Sequence, residues 1–188
     1  MECGKIEEVC LCKSEVLTVE QIYIVDLKGA AGTGGIQVYD AEPEHKSVRL
    51  DNPNRLPVKL VAFEENAFRI RKGTFAKQCE CIFHPDVMNE ASWMLFIEMK
   101  YADNEYNVQR DQWHAKAVDQ IRSTVVFLKQ KGVIAEGKKL NAIVAFPKIS
   151  TFSSWLTQYI SNELKKDDII ARCTNKATIV DGKILILA

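Results

Sequence analysis

MLFIEMKYA, residues 94–102, is a nearly continuous apolar run with Glu98 and Lys100 set into its second half. A strand covered on both faces reads as such a run, and a charged side chain stays fully buried only when it is paired or binds something. Residues two apart on a strand share a face at a spacing of ~6.6 Å. Phe96, Glu98 and Lys100 therefore point one way, and Leu95, Ile97 and Met99 the other.

Downstream, residues 107–132 read NVQRDQWHAKAVDQIRSTVVFLKQKG. His114, Ala117, Val118, Ile121, Val125 and Leu128 recur at helical spacing and Gly132 supplies a stop, so one long amphipathic helix is expected. LNAIVAFPK, a short apolar run closed by a proline, reads as a buried strand. Strand, helix and strand form a βαβ unit, which makes the 94–102 strand and the NAIVAF strand parallel, joined by a right-handed crossover. A second helix, TFSSWLTQYISNELKK, and a closing hairpin, TIVDGKILIL turning at Asp181-Gly182, follow. Upstream, QIYIVDL, GIQVYD, KSVRLDN, PVKLVAF, AFRIRKG and KQCECIF read as strands separated by Gly, Pro, Asn and Asp. LVAFEENAFRIR reads as a hairpin around a polar EEN turn.

The expected architecture is a single α/β domain with a mixed sheet: a β-rich N-terminal segment (1–57), a core (58–147), and a C-terminal helix and hairpin (148–188). The 188 residues suffice for one substantial core. Lys and Arg number 25 against 25 Asp and Glu, so the general basic bias of many nucleic-acid binders is absent. No run approaches the ~20 apolar residues of a membrane span, and MECGKIEEVC has no apolar signal core, which predicts a cytoplasmic protein with no membrane partner. The six cysteines (Cys3, Cys10, Cys12, Cys79, Cys81, Cys173) are irregularly spread and read as reduced thiols. Their two CxC pairs are too tightly spaced for a usual structural zinc site.

The strand before the charged one, KQCECIF, carries a single acid, Glu80. Ten residues separate Phe83 from Met94, which suits antiparallel neighbours. Glu80 and Glu98 then share a face. Like charges facing each other across a sheet repel unless a cation or proton lies between them, and a hard divalent ion such as Mg²⁺ suits oxygen ligands. An acid two residues before a lysine recurs at Asp26-Lys28, Glu44-Lys46, Glu136-Lys138, Glu163-Lys165 and Asp181-Lys183, so the spacing alone means nothing. Asp26-Lys28 is the serious rival because it too ends an apolar strand, but GAAGTGG and another strand follow it, not a helix that returns to the sheet.

An acid in one strand, an apolar strand ending in Glu-x-Lys, a long helix and a parallel strand together resemble the PD-(D/E)xK nuclease superfamily, which has a restriction-endonuclease-like core. The resemblance spans roughly residues 58–147. It implies Mg²⁺-dependent (or Mn²⁺-dependent) hydrolysis of nucleic acid, DNA before RNA, in defence or repair. By position it implies Glu98 as the second-motif carboxylate, Lys100 as the lysine that orients or activates water, and the Met99 carbonyl between them. The first-motif acid is Glu80 by strand alternation, or Asp86, where Pro85-Asp86 matches the motif name literally but sits in a loop. Gln120 on the following helix, with Lys116 one turn before it, fits the helix glutamine that some members use. The glutamate that the family carries on an N-terminal helix has only Glu64 and Glu65 as candidates, by proximity. A noncatalytic interaction module on the same scaffold is the alternative.

Other signals are weaker. GAAGTGG lacks the Lys-Ser/Thr of a phosphate-binding loop and reads as a flexible turn. Arg69, Arg71 and Lys72, with Lys77, could rim a nucleic-acid groove or form a solvated face. His84 and His114 read as packing residues, as do Trp93, Trp113 and Trp155.

Overall fold

A computed structural model describes residues 4–135 and 137–188; Cys3 and Glu136 lie outside the described residues. In chain order the first elements are α1 (Gly4–Val9), β1 (Cys12–Leu17), β2 (Gln21–Asp26), α2 (Leu27–Ala31), β3 (Ile36–Tyr39), β4 (Val48–Asp51), β5 (Val58–Phe63), β6 (Arg69–Arg71), β7 (Thr74–Phe75) and β8 (Cys81–Pro85). Then come β9 (Met94–Met99), α3 (Glu105–Arg110), α4 (Trp113–Gln130), β10 (Leu140–Ala145), α5 (Ser154–Lys165), β11 (Ile169–Cys173), β12 (Lys176–Ile179) and β13 (Leu185–Leu187).

Every residue of β9 and of β10 is buried, as the two apolar runs require. The two strands pair in parallel with Val144 beside Glu98, so the expected βαβ unit is present, with α4 as its helix. They sit inside a six-stranded mixed sheet of order β1-β5-β8-β9-β10-β11. From β1 through β5 and β8 to β9 each strand is antiparallel to the next, and β9, β10 and β11 run parallel.

Strand alternation gives this sheet two apolar faces. On one, Phe96, Ile82 and Val144 pack with Val118, Ile121 and Val125 of α4 and Leu156 and Ile160 of α5. On the other, Leu60, Phe83, Leu95 and Ile97 meet Ile22, Ile24, Leu50 and Ile179 of a second, five-stranded sheet of order β13-β12-β4-β2-β3. Helices, mixed sheet and second sheet make three layers. Each fully buried Leu, Ile, Val or Phe in them stabilises by about 1.5–3 kcal/mol relative to exposure.

Several expectations change. The helix expected over 107–132 is two helices: the chain breaks at Asp111 and Gln112, where Gln112 takes φ +53° and Arg110 binds the Asp111 carboxylate through two 2.9 Å hydrogen bonds. The EEN turn forms, but β6 pairs with β7, not β5, because β5 already has β1 and β8 on its two edges. Residues 1–57 divide between the sheets: β1 edges the six-stranded one, while β4 pairs in parallel with β12 from the far end of the chain. GAAGTGG is not simply a turn, since Leu27–Ala31 is helical and Gly32, at φ +80°, closes that helix. The closing hairpin pairs β12 with β13 as expected, and β11 is an additional strand.

Candidate active site

Glu80 and Glu98 meet because of register. Cys81 lies opposite Ile97 and Ile82 opposite Phe96, and the Glu80 amide donates to the Ile97 carbonyl at 3.1 Å. One step further along the pair, Glu80 stands beside Glu98 on the helix-covered face. Helix α4 is pinned to this spot. Gln120 Nε2 donates to the Gln78 carbonyl at 2.8 Å, and Thr124 Oγ1 accepts the Cys79 amide at 2.8 Å while donating to the Gln120 carbonyl.

The Glu98 side chain is 0% exposed. Lys100 Nζ lies 2.5 Å from its Oε1, a close ion pair whose alignment is not that of a hydrogen bond; Oε2 has no hydrogen-bond partner among the described residues. Burial first, and then the Glu80 charge, push the Glu98 carboxyl up to about 8, against the pull of Lys100. Glu80 is pushed up to about 7 by burial and by Asp26, with Lys100 and Lys28 opposing, and solvent in the adjoining cleft tempers that push because its side chain is only half-buried. Two carboxylates this close in a poorly solvated place ionise together only if positive charge joins them. An orphaned buried oxygen and a set of hard donors fit a divalent cation. No group of three or more His, Cys, Asp or Glu side chains among the described residues is disposed to hold a metal, so a cation here would be held by the two carboxylates, with backbone carbonyls such as that of Met99 completing its oxygen ligands.

The sequence did not anticipate that Asp26, from the second sheet, joins this cluster. Its carboxylate caps α2, accepting from the Lys28 amide at 3.0 Å and the Gly29 amide at 2.9 Å. Its own amide donates to the Tyr101 hydroxyl at 3.2 Å, and that hydroxyl donates to the Lys46 carbonyl at 3.1 Å. Tyr101 follows Lys100 directly, so the end of β9 is tied to the second sheet. A run of Asp before Leu-Lys-Gly-Ala-Ala is a capping signal that could have shown α2 and the fixed carboxylate.

Asp26, Lys28, Glu80, Lys116, Gln120 and Phe75 line a cleft of about 1220 Å³. Glu98, fully buried, is not among the lining residues, whereas its strand neighbour Glu80 is. The lining holds four lysines against four acids, and Lys28 and Lys77 are already paired with Glu65 and Asp119. The cleft therefore has no basic excess of its own.

The other expected residues fall elsewhere. Asp86 follows β8 at the end away from Glu98, where its amide binds the Pro57 carbonyl, so the strand register brings Glu80 and not Asp86 to Glu98. His84 is buried on β8 with Nδ1 2.8 Å from the Pro85 carbonyl, also away from the cluster. Arg69, Arg71 and Lys72 are exposed on the β6–β7 hairpin. Glu64 and Glu65 are exposed turn residues on the cleft wall, and Glu7 of α1 pairs with Lys59 at 2.8 Å. His114 sits between Trp155 and Tyr159 in edge-on ring contacts, and Trp93 is buried with its indole bound to the Asp181 carbonyl. Among the described residues no helix is long and apolar enough to cross a membrane.

No family model, no curated protein and no solved structure matches the chain.

Proposed function

We propose that the chain is a metal-dependent phosphodiesterase of the PD-(D/E)xK kind, hydrolysing nucleic acid, DNA in the first instance, with Mg²⁺ or Mn²⁺. The observation that carries this reading is the buried, half-orphaned Glu98 carboxylate beside Glu80, with Lys100 on its other oxygen. The strand order supports it too: a strand led in by an acid, an antiparallel strand with Glu-x-Lys, a helix, and a parallel strand are the parts that the resemblance requires.

Phosphodiester hydrolysis needs a hydroxide-like nucleophile at neutral pH and relief of charge on the nonbridging oxygens; Glu80 and Glu98 would hold the divalent cation that would supply both. Lys100 stands beside Glu98, placed to orient water or the scissile phosphate. Gln120, braced on the Gln78 carbonyl, keeps α4 against the Glu80 lead-in, and Lys116, one turn before it, offers a phosphate contact. Arg69, Arg71 and Lys72 could add backbone contacts whose contribution falls steeply with salt.

One observation favours the noncatalytic scaffold instead. Lys100 and Glu98 already close on each other at 2.5 Å, as a purely structural pair would. Cleavage of single- and double-stranded DNA and RNA by the purified chain with Mg²⁺ or Mn²⁺, beside Glu98→Gln and Lys100→Ala, separates the two. Metal-dependent cleavage lost in both variants supports the nuclease; no cleavage on any substrate, with both variants stably folded, supports the scaffold.

A further inference from the structure

Resting on that reading, we propose that Asp26 is a third carboxylate of the centre. It is a positioning residue of the second sheet whose fixed negative charge strengthens the hold of Glu80 and Glu98 on a divalent cation without itself ligating it. Asp26 and Glu80 line the same cleft, and the charge of Asp26 acts on both Glu80 and Glu98. The unpartnered, fully buried Glu98 Oε2 on the same cluster is an independent sign that a ligand belongs there.

The place of Asp26 is held with unusual tightness. A Cβ on Gly29 would stand 2.6 Å from Asp26 Oδ2 and 2.6 Å from Tyr101 Cδ2, so only a glycine lets α2 close over both side chains. The Tyr101 hydroxyl bridges the Asp26 amide and the Lys46 carbonyl. These contacts fix the carboxylate relative to the residue after Lys100. Both Asp26 oxygens already accept backbone amides, which leaves their charge in place but directs them at α2, consistent with a role behind the ligands.

The charges agree. Once Glu80 and Glu98 are ionised, as holding a cation requires, they and Asp26 bring three negative charges against the two positive ones of Lys100 and Lys28, and Lys28 is shared with Glu65. A cation relieves the excess, and removing the Asp26 charge weakens the demand for it.

The test is calorimetric titration of Mn²⁺ into the full chain at one fixed pH and ionic strength. The chains compared are the parent, Asp26→Asn, Glu98→Gln and Glu15→Gln, the last a control for net charge on an exposed edge strand. Asn is a good helix cap, so Asp26→Asn removes the charge and keeps one of the two cap hydrogen bonds through its Oδ1, while its Nδ2 cannot accept the second amide. We expect Mn²⁺ to bind the parent and Glu15→Gln alike and Asp26→Asn about tenfold more weakly, the loss typical of a group behind a metal ligand, with Asp26→Asn still folded and melting in one cooperative transition in EDTA. A Kd for Asp26→Asn within about twofold of a binding parent overturns the role of Asp26 and leaves the metal centre standing. A parent that binds no Mn²⁺ overturns both. Should Asp26→Asn fail to fold, Asp26→Ser, another good cap without the charge, replaces it in the same comparison.

Discussion

Asp26-Leu27-Lys28 closes β2 and Glu98-Met99-Lys100 closes β9, each an acid and a lysine two apart at the end of an apolar strand. After β2 the backbone turns at once into α2, so the Asp26 carboxylate is taken up by two amides and Lys28 reaches outward to the exposed Glu65 at 3.3 Å. After β9 the chain passes through Tyr101 to α3, and among the described residues no amide bonds the Glu98 carboxylate, which stays buried with Lys100 paired to it. Identical spacing thus yields a satisfied cap in one place and a frustrated carboxylate in the other. Spacing does not decide what becomes of a carboxylate; the backbone that follows it does.

Glu98→Gln should sharpen the contrast most. It removes the orphaned charge and should lower metal-dependent cleavage by at least about 10²-fold, the scale of deleting one charge-stabilising group at a reacting centre. Unfolding in urea should show the variant no less stable than the parent, since a buried carboxylate beside another is costly. The other half of the comparison breaks at Gly29. Gly29→Ala forces a Cβ against Asp26 and Tyr101 and should cost about 1–3 kcal/mol in the same urea titration.

The pH dependence comes next. Glu80 and Glu98 bind protons more tightly folded than unfolded, with folded values of about 7 and about 8 against an ordinary 4.5. Their stabilising contribution is therefore complete below about 4.5 and is lost as pH rises through about 7 and about 8. In EDTA the thermal midpoint of the parent should fall by several degrees over that window, and Glu98→Gln should lose the upper part of the fall. Equal slopes in the two chains would contradict the placement of Glu98. Lys28→Ala should do least, about 0.5 kcal/mol or less, because its pair with Glu65 is solvent-exposed on both sides.

The charged strand was legible because a buried run with two charges has few explanations, and the periodicity of residues 114–128 set the helix that returns to it. Glu80 followed from alternation. What the sequence hid was long-range. Nothing in Val58–Phe63 says that its edges belong to β1 and β8 and not to the run after the EEN turn. Nothing local in Arg49 or Lys176 says that β4 and β12 will pair across the chain. Asp26-Lys28 rivals Glu98-Lys100 in the sequence, yet Asp26 lines one cleft with Glu80 because the second sheet packs over Leu95 and Ile97, a contact no spacing encodes. The Asp111–Gln112 break lay ahead of the periodic residues 114–128, in a polar run with no glycine or proline to mark it.

The most direct test of the buried carboxylate pair as a cation site is a crystal of the full chain grown with Mn²⁺ and measured for anomalous scattering. A peak bridging the carboxylates of Glu80 and Glu98, absent from Glu98→Gln crystals, is the predicted result. A map with no peak there, and with Lys100 still closed on Glu98, would contradict the account and leave the pair as a structural feature of β9.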